Sequence, residues 1–170
     1  MLQKHLSQML IRDLGALRRE IEAYPDELAL WAQPPGVPNS AGTLTLHLVG
    51  NLQHFIGAVL GETGYVRNRE AEFASRNVPR ATLLGLIDDT VNAIRRTLET
   101  LDPGRLSAQF PLPVGPVVLR TDDFLVHLAT HLTYHLGQLD YHRRFVTGAS
   151  TGVGAITPTE LATARPKPAG

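Results

Sequence analysis

The sequence predicts an all-α fold, a four-helix bundle with long crossover connections. Four stretches repeat apolar residues every three or four positions, the spacing that gathers side chains on one face of an α-helix. They cover residues 2 to about 24, 41–60, 79–101 and 124–145. The connection after the second stretch is longer than an antiparallel hairpin needs, so we expect it to run along or over the bundle.

Composition and charge are those of a single globular domain. The 170 residues include 43% hydrophobic and 19% charged residues, and 16 basic residues balance 16 acidic ones. A formal net charge of zero provides no field that would attract nucleic acid or an anionic membrane, so we expect neither as a partner. The absence of cysteine excludes disulfides, thiolate metal sites and cysteine nucleophiles. A metal ion would therefore need histidine, carboxylate or water ligands.

The first helix is predicted to end at Tyr24, because the residue before Pro25 avoids helical backbone angles. Its apolar face consists of Leu2, Leu6, Met9, Leu10, Leu14, Leu17 and Ile21. Charged residues, among them Arg12 and Glu20, are expected on the remaining, outer surface. Because charges interrupt the apolar pattern, the N-terminal stretch does not resemble a signal peptide, and we expect a cytoplasmic protein.

The second helix is predicted at 41–60, with Ser40 or Thr43 as its cap. His47 and His54 share an arc of this helix that borders the apolar stripe. The stretch has no formally charged residue and is long enough to span a membrane. Its central histidines would be costly inside a bilayer, so we expect a buried helix of the bundle.

The connection at 61–80 is long and charged, and we expect it to cross over the bundle. Its charged side chains are predicted to form a solvated face with weak salt bridges. They are Arg67, Arg69, Glu70 and Glu72. In the alternative interpretation, Arg67 or Arg69 overhangs the mouth of a site and binds an anionic group of a substrate.

The segment at 106–120 precedes the fourth helix and contains three prolines, which exclude a helix there. Residues 117–119 could form a short strand paired with 109–112, giving a β-hairpin. Thr121 and Asp122 are then expected to cap the fourth helix. Glycine, alanine, threonine and proline dominate the chain after this helix. We therefore expect one domain at 1–146 and a loosely ordered tail at 147–170.

The fourth helix carries four of the seven histidines, and three of them form a ladder of successive turns: His127, His131 and His135. Gln138 and His142 fall on the same arc, which borders a broad stripe of leucines. These side chains are therefore expected to point into the bundle. Either carbonyls, hydroxyls or water satisfy the imidazoles, or an adjacent pair shares a metal ion.

Two stretches resemble the DinB-like family of metal-binding four-helix bundles. They are the run His131-Leu-Thr-Tyr-His135-Leu-Gly137-Gln138 in the fourth helix and L-H-L-V-G-N at 46–51 in the second. The resemblance spans about residues 1–146 and includes the long connections after the second and third helices.

The resemblance implies that His47, His131 and His135 bind a divalent metal ion. Zn²⁺ or Ni²⁺ is the expected ion, because imidazole suits both. Three protein ligands leave positions open for water or substrate, as in catalytic metal sites. A homodimer is compatible with the same resemblance.

His127 and His54 are the candidate catalytic residues near this predicted site. Each could be a further ligand, a proton shuttle or a hydrogen-bonding partner of a ligand. Three successive rungs of a helix spread too far along its axis to share one ion, so His127 is expected just outside the ligand set. His142 and His5 are expected at the surface or at the ends of the bundle.

The resemblance also implies a metal-dependent enzyme. Characterised relatives include transferases and isomerases that use low-molecular-weight thiols in bacteria, so transfer of such a thiol to a small electrophile is the expected reaction. Hydrolysis by metal-activated water is the alternative enzymatic interpretation. A non-catalytic bundle that binds a metal or a small ligand is the alternative outside enzymes. The sequence contains no P-loop, dinucleotide fingerprint or serine-hydrolase elbow.

Overall fold

Four long helices form the body of the protein in the computed structural model, which describes residues 2–154, 156–161 and 163–167. Within these ranges the α-helices are α1 (Leu2–Glu22), α2 (Glu27–Trp31), α3 (Ala41–Leu52), α4 (Arg69–Ala74), α5 (Arg80–Thr100), α6 (Gly104–Ser107) and α7 (Thr121–Thr147). A π-helical segment, Gln53–Leu60, continues α3, and a 3-10 turn lies at Pro158–Glu160. The predicted all-α bundle is confirmed.

The core lies between α1, α3, α5 and α7. The helix α1 packs against α5 and α7, and α3 also packs against both of them. The side chains that meet there are mostly leucine and isoleucine, at the three- and four-residue spacing of a helix face. The position of α3 against α7 is what matters for function, because these two helices carry most of the histidines.

The second predicted helix is not α-helical throughout. Ser40 caps α3 by accepting a hydrogen bond from the backbone N–H of Thr43 at 3.1 Å, but the helix widens to π geometry from Gln53 onward. The prediction of one uniform α-helix was therefore wrong for its second half. Gly61, where this segment ends, has no room for a side chain, since a Cβ would lie 2.0 Å from Oγ1 of Thr97.

The predicted hairpin before the last long helix forms only in outline. Two isolated antiparallel bridges join Gln109 to Arg120 and Val114 to Val117. No longer strand forms in the described part of the chain. Thr121 is the first residue of α7, and its hydroxyl donates to the carbonyl of Ala108 at 3.1 Å. Thr121 and Asp122 therefore do not cap the helix as expected.

The crossover connection at 61–80 contains α4, which packs against α3. Asn68 caps α4, accepting from the N–H of Ala71 at 3.0 Å. Gly50 on α3 makes the close approach possible, since a Cβ there would lie 2.3 Å from Oε1 of Glu72. The expected solvated face is therefore wrong for Glu72, which is only 6% exposed.

The outer surface predicted for α1 is also partly wrong. Glu20 is fully buried and forms an ion pair with Arg143 of α7, which is buried as well. Arg12 is buried beside Asp13, and the hydroxyl of Thr133 donates to that carboxylate at 2.8 Å. A polar network thus lies inside the interface between α1 and α7, where periodicity alone predicts charged residues facing water.

Residues after α7 contact the bundle through backbone carbonyls. The guanidinium of Arg19 donates to the carbonyl of Val153 at 3.0 Å, and that of Arg143 donates to the carbonyl of Thr151 at 3.0 Å. The division into a domain at 1–146 and a tail at 147–170 stays a prediction. Of the helices in the described ranges, none is both long enough and apolar enough to cross a membrane.

Candidate metal centre

Three histidines from two helices converge where α3 packs against α7. Nε2 of His131 lies 3.1 Å from Nε2 of His135 and 3.4 Å from Nε2 of His47. One ring nitrogen from each lies within 4.8 Å of the other two. Two nitrogen atoms bound to one tetrahedral zinc ion at about 2.1 Å lie about 3.4 Å apart. The cluster therefore has the spacing of metal ligands, and it can hold a metal ion.

Glu72 orients the imidazole of His47. Oε2 of Glu72 lies 3.1 Å from Nδ1 of His47, and both side chains are buried. Burial alone would raise the pKa of Glu72, but hydrogen bonds from Arg67 and His47 outweigh it, and the pKa is lowered. The ionised carboxylate can only accept, so Nδ1 of His47 donates and the lone pair of Nε2 faces the cluster.

Arg67 holds Glu72 in this position. Its Nε donates to Oε1 at 2.7 Å and its Nη2 donates to Oε2 at 2.9 Å, a bidentate pair. The guanidinium also lies over the ring of Phe55, 5.7 Å from its centroid. Arg67 is therefore beside the site, and the expected solvated face is wrong for it as well, since its side chain is 13% exposed. Binding of an anionic group of a substrate by Arg67 or Arg69 stays a prediction. Its bidentate contact is to a protein carboxylate.

Gln138 orients His135 in the same manner. Its Oε1 lies 2.7 Å from Nδ1 of His135. An amide oxygen can only accept, so Nδ1 of His135 carries the proton and its Nε2 presents a lone pair to the cluster. Burial lowers the pKa of His135, although the hydrogen bond with Gln138 opposes that shift. The imidazole is therefore in the neutral form that binds metals.

His131 lies at the middle of the cluster. Burial, followed by the nearby His135 and His47, lowers its pKa to about 4. The lone pairs of two flanking Nε2 atoms point at Nε2 of His131. The single proton of a neutral imidazole can satisfy only one of those contacts, whereas a cation would satisfy all three nitrogen atoms. The donor set therefore fits a divalent metal ion with a preference for nitrogen.

His127 lies outside this convergence of nitrogen atoms. It is exposed on α7, with its ring stacked 6.0 Å from that of His131 and 5.9 Å from that of Phe124. It lies one turn before His131 and outside the ligand set, as expected. The expectation that His127 and Gln138 point into the bundle is wrong, because both are exposed. Its catalytic role stays a prediction.

His54 is also outside the cluster. It is half-buried on the π-helical segment, with its ring 4.7 Å from that of Phe55. Burial lowers its pKa, the charge of Arg67 lowers it further, and the charge of Glu72 opposes this shift. The segment is π-helical from Gln53 onward, so the angular spacing of an α-helix no longer applies there. The prediction that His54 shares the arc of His47 depended on that spacing. Its proposed catalytic role stays a prediction.

Of the two positions expected for His142, the surface is wrong, and the residue lies near the C-terminal end of α7. It is 5% exposed, and both of its ring nitrogens form hydrogen bonds, one with Tyr24 and one with Ala32. The hydroxyl of Tyr24 lies 2.7 Å from Nδ1 and the carbonyl of Ala32 lies 2.9 Å from Nε2. Because a carbonyl accepts only, Nε2 carries the proton and the Tyr24 hydroxyl donates to Nδ1. His142 is a structural residue of the core, and His5 is half-buried on α1, outside the cluster.

Sequence reasoning missed the role of Glu72. It stands 25 residues from His47, so no helical spacing connects the two. The only local signals are the length of the connection, which reaches across the bundle, and Gly50, which leaves space on α3. Neither signal identifies which carboxylate of the connection enters the site.

The sequence matches one known protein family over most of its length. Residues 9–139 match the sequence profile of the DinB superfamily, which covers all three histidines and both long connections. No curated protein matches the chain. The match covers well over half of the sequence and agrees with the all-α bundle and its histidine cluster. The chain therefore belongs to the DinB superfamily.

Proposed function

We propose that this protein binds one divalent metal ion through His47, His131 and His135 and uses it to activate a small nucleophile. The observation that carries the proposal is the convergence of three Nε2 atoms, with 3.1 Å and 3.4 Å between neighbours. In two of the three imidazoles, a hydrogen bond fixes the proton on the opposite ring nitrogen. Such an arrangement prepares the nitrogens for a cation before the cation arrives.

Zn²⁺ or Ni²⁺ is the proposed ion, because both accept imidazole ligands. When bound, a divalent ion favours the ionised form of a thiol or of water at neutral pH. The proposed nucleophile is a low-molecular-weight thiol and the proposed acceptor a small electrophile. This choice rests on the family resemblance of the motif. Hydrolysis would use the same three histidines with water as the nucleophile.

The surrounding residues have distinct proposed roles. Glu72 and Gln138 keep two imidazoles in the correct tautomer, and Arg67 keeps Glu72 ionised. His127 is exposed beside His131, so we propose that it exchanges the proton of the nucleophile with solvent. His54 is the alternative proton carrier on the α3 side. A cytoplasmic location and a homodimer are part of the proposal.

Metal stoichiometry tests the ligand set directly. Metal-free protein is loaded with Zn²⁺ or Ni²⁺, desalted and analysed for bound metal. We expect one ion per chain in the wild type and in the control His5→Ala, and none in His131→Ala or His135→Ala. Full metal content in both cluster variants would overturn the assignment.

Turnover is tested on the loaded protein with a panel of small thiols and electrophilic acceptors, by following loss of the free thiol. Metal-dependent, saturable loss supports transferase activity. Product formation without added thiol points to hydrolysis instead. A loaded protein that turns over no acceptor, and whose metal has four protein ligands, is a non-catalytic metal binder.

A further inference from the structure

A cavity of about 370 Å³ lies between the loop at 36–39, the first turn of α3 and the C-terminal part of α7. Leu44 contributes from α3, three residues before His47, and Gln138 contributes from α7, three residues after His135. Residues three apart on a helix are about one turn, or roughly 5 Å, apart along the axis. Both helices therefore place this cavity at the edge of the cluster.

The walls of the cavity are mostly apolar, with Asn39, Gln138 and His142 as their polar members, and carry no formal charge. The residues described around it include Val37, Pro38, Leu44, Tyr141 and Phe145, and none of the lining residues is Lys, Arg, Asp or Glu. A charged ligand would lose hydration here without gaining a counter-charge. Uncharged, apolar groups are the chemistry that these walls accept.

Two aromatic side chains at the rim are open to solvent. Tyr141 is 76% exposed and Phe145 is 73% exposed, although both lie on α7 beside the cavity. Large exposed aromatic surfaces gain free energy when a ligand covers them. The loop that carries Val37 and Pro38 forms the opposite wall, so a ligand in the cavity would lie between this loop and α7.

Gln138 belongs to both the cavity and the cluster. Its Oε1 accepts a hydrogen bond from Nδ1 of His135 at 2.7 Å, and its side chain also lines the cavity. Gln138 is exposed, and no residue of the described chain accepts from its amide nitrogen, so this N–H group can donate to a ligand in place of water. His142 lines the cavity too, but both of its ring nitrogens are already hydrogen-bonded, and it serves as wall.

We propose that this cavity binds the neutral, ring-sized apolar part of the substrate, with the Gln138 amide donating to an oxygen atom of that substrate. Naming the ligand as substrate rests on the proposed function. The volume lies at the small end of the range for ligand pockets. The substrate class is therefore a small uncharged aromatic or alicyclic compound with an acceptor oxygen, whose reactive carbon extends one turn toward the histidines.

The probe is 4-fluoroanisole, a neutral ring with one acceptor oxygen, followed by fluorine NMR in a titration of the metal-loaded protein. We expect saturable binding to one site. The variant Val37→Trp, which fills the cavity from the loop, should weaken binding at least about tenfold. Phe145→Ala, which removes part of the exposed rim, should weaken it severalfold.

Two matched controls show whether the cavity is the site. Val118→Trp adds the same ring at an exposed valine away from the cavity, and Tyr134→Ala removes an exposed aromatic residue of α7 that does not line it. Both controls should bind the probe as the wild type does. Equal weakening by Tyr134→Ala and Phe145→Ala would mean that the probe binds any exposed ring, and the proposal would be wrong.

Further outcomes also decide the matter. Binding of 4-fluorobenzoate that Val37→Trp abolishes would overturn the preference for uncharged ligands. Self-association that rises with concentration and is lost in Phe145→Ala would assign the rim to a second copy of the chain instead. Bound metal is measured on the same samples. If the protein binds metal but not the probe, only the proposal that the cavity is a ligand site is wrong. If it binds the probe but no metal, the proposed metal-dependent function is wrong, and the ligand can no longer be called its substrate.

Discussion

Nδ1 of His47 on α3 lies 3.1 Å from Oε2 of Glu72, a residue of the crossover connection. The two side chains are 11% and 6% exposed, so water cannot readily replace either partner of this contact. This pair ties a candidate metal ligand to a segment outside the four long helices. The contact explains why the connection runs back across α3 and why Gly50 faces it.

Glu72→Gln is expected to weaken metal binding by about 10- to 100-fold, because the amide removes the negative charge that supports His47 and breaks the pair with Arg67. Competition with a coloured chelator measures the affinity. Glu70→Gln is the matched control, since Glu70 is exposed on the same helix. Equal affinities for Glu72→Gln and the wild type would show that the carboxylate does not support the site.

Gly50→Ala should destabilise the fold by about 1–3 kcal/mol, because the added methyl group would overlap Glu72 and push α4 away from α3. Urea denaturation of the metal-free protein measures the free energy of unfolding. Gly85→Ala on α5 is the control, because a Cβ there has open space and should stabilise the helix by about 0.5–1 kcal/mol. A neutral or stabilising Gly50→Ala would contradict the close packing.

His127→Ala is expected to keep full metal content, while His135→Ala loses it, because only the latter belongs to the converging nitrogens. If His127 carries the proton, its removal should change the pH dependence of turnover more than the affinity for the metal. Elemental analysis and pH–rate profiles measure the two effects. Loss of metal in His127→Ala with retention in His135→Ala would move the centre one turn along α7.

Metal-free protein should lose stability as the pH falls below about 6.5, in part through His142. Burial lowers the pKa of His142 in the folded state, while its hydrogen bond to Ala32 opposes this. Between the folded and unfolded pKa values, the unfolded chain binds more protons, so acid favours unfolding. In His142→Gln the loss of unfolding free energy between pH 7 and pH 5 should be smaller. An unchanged loss would exclude His142 as a contributor.

Arg143→Met should destabilise the protein by about 3–5 kcal/mol, because it leaves the buried Glu20 without its partner. The double variant Glu20→Met with Arg143→Met should recover much of that loss. Asp88→Ala removes an exposed ion pair with Arg18 and should cost at most about 1 kcal/mol. A double variant as unstable as the single one would show that the buried charge is not the cause.

The long helices and the register of two candidate ligands could be predicted from sequence alone. Helix formation depends on contacts between residues three and four apart, which a pattern of leucines displays directly. The same spacing places His131 and His135 on successive turns, and their Nε2 atoms are indeed 3.1 Å apart. Ser40 was one of two possible caps, and its hydrogen bond to Thr43 is local as well.

The tertiary structure alone decided which polar residues are buried and with whom. Periodicity predicted Glu72 and Glu20 as surface charges, but each lies in the interior and forms an ion pair with an arginine. Arg143 is 123 residues from Glu20, and Glu72 is 25 residues from His47. Helical periodicity shows which face a residue occupies but not what another segment brings to that face. Because a buried charge is stable only when its partner is in place, burial of these residues depends on how α4 and α7 pack.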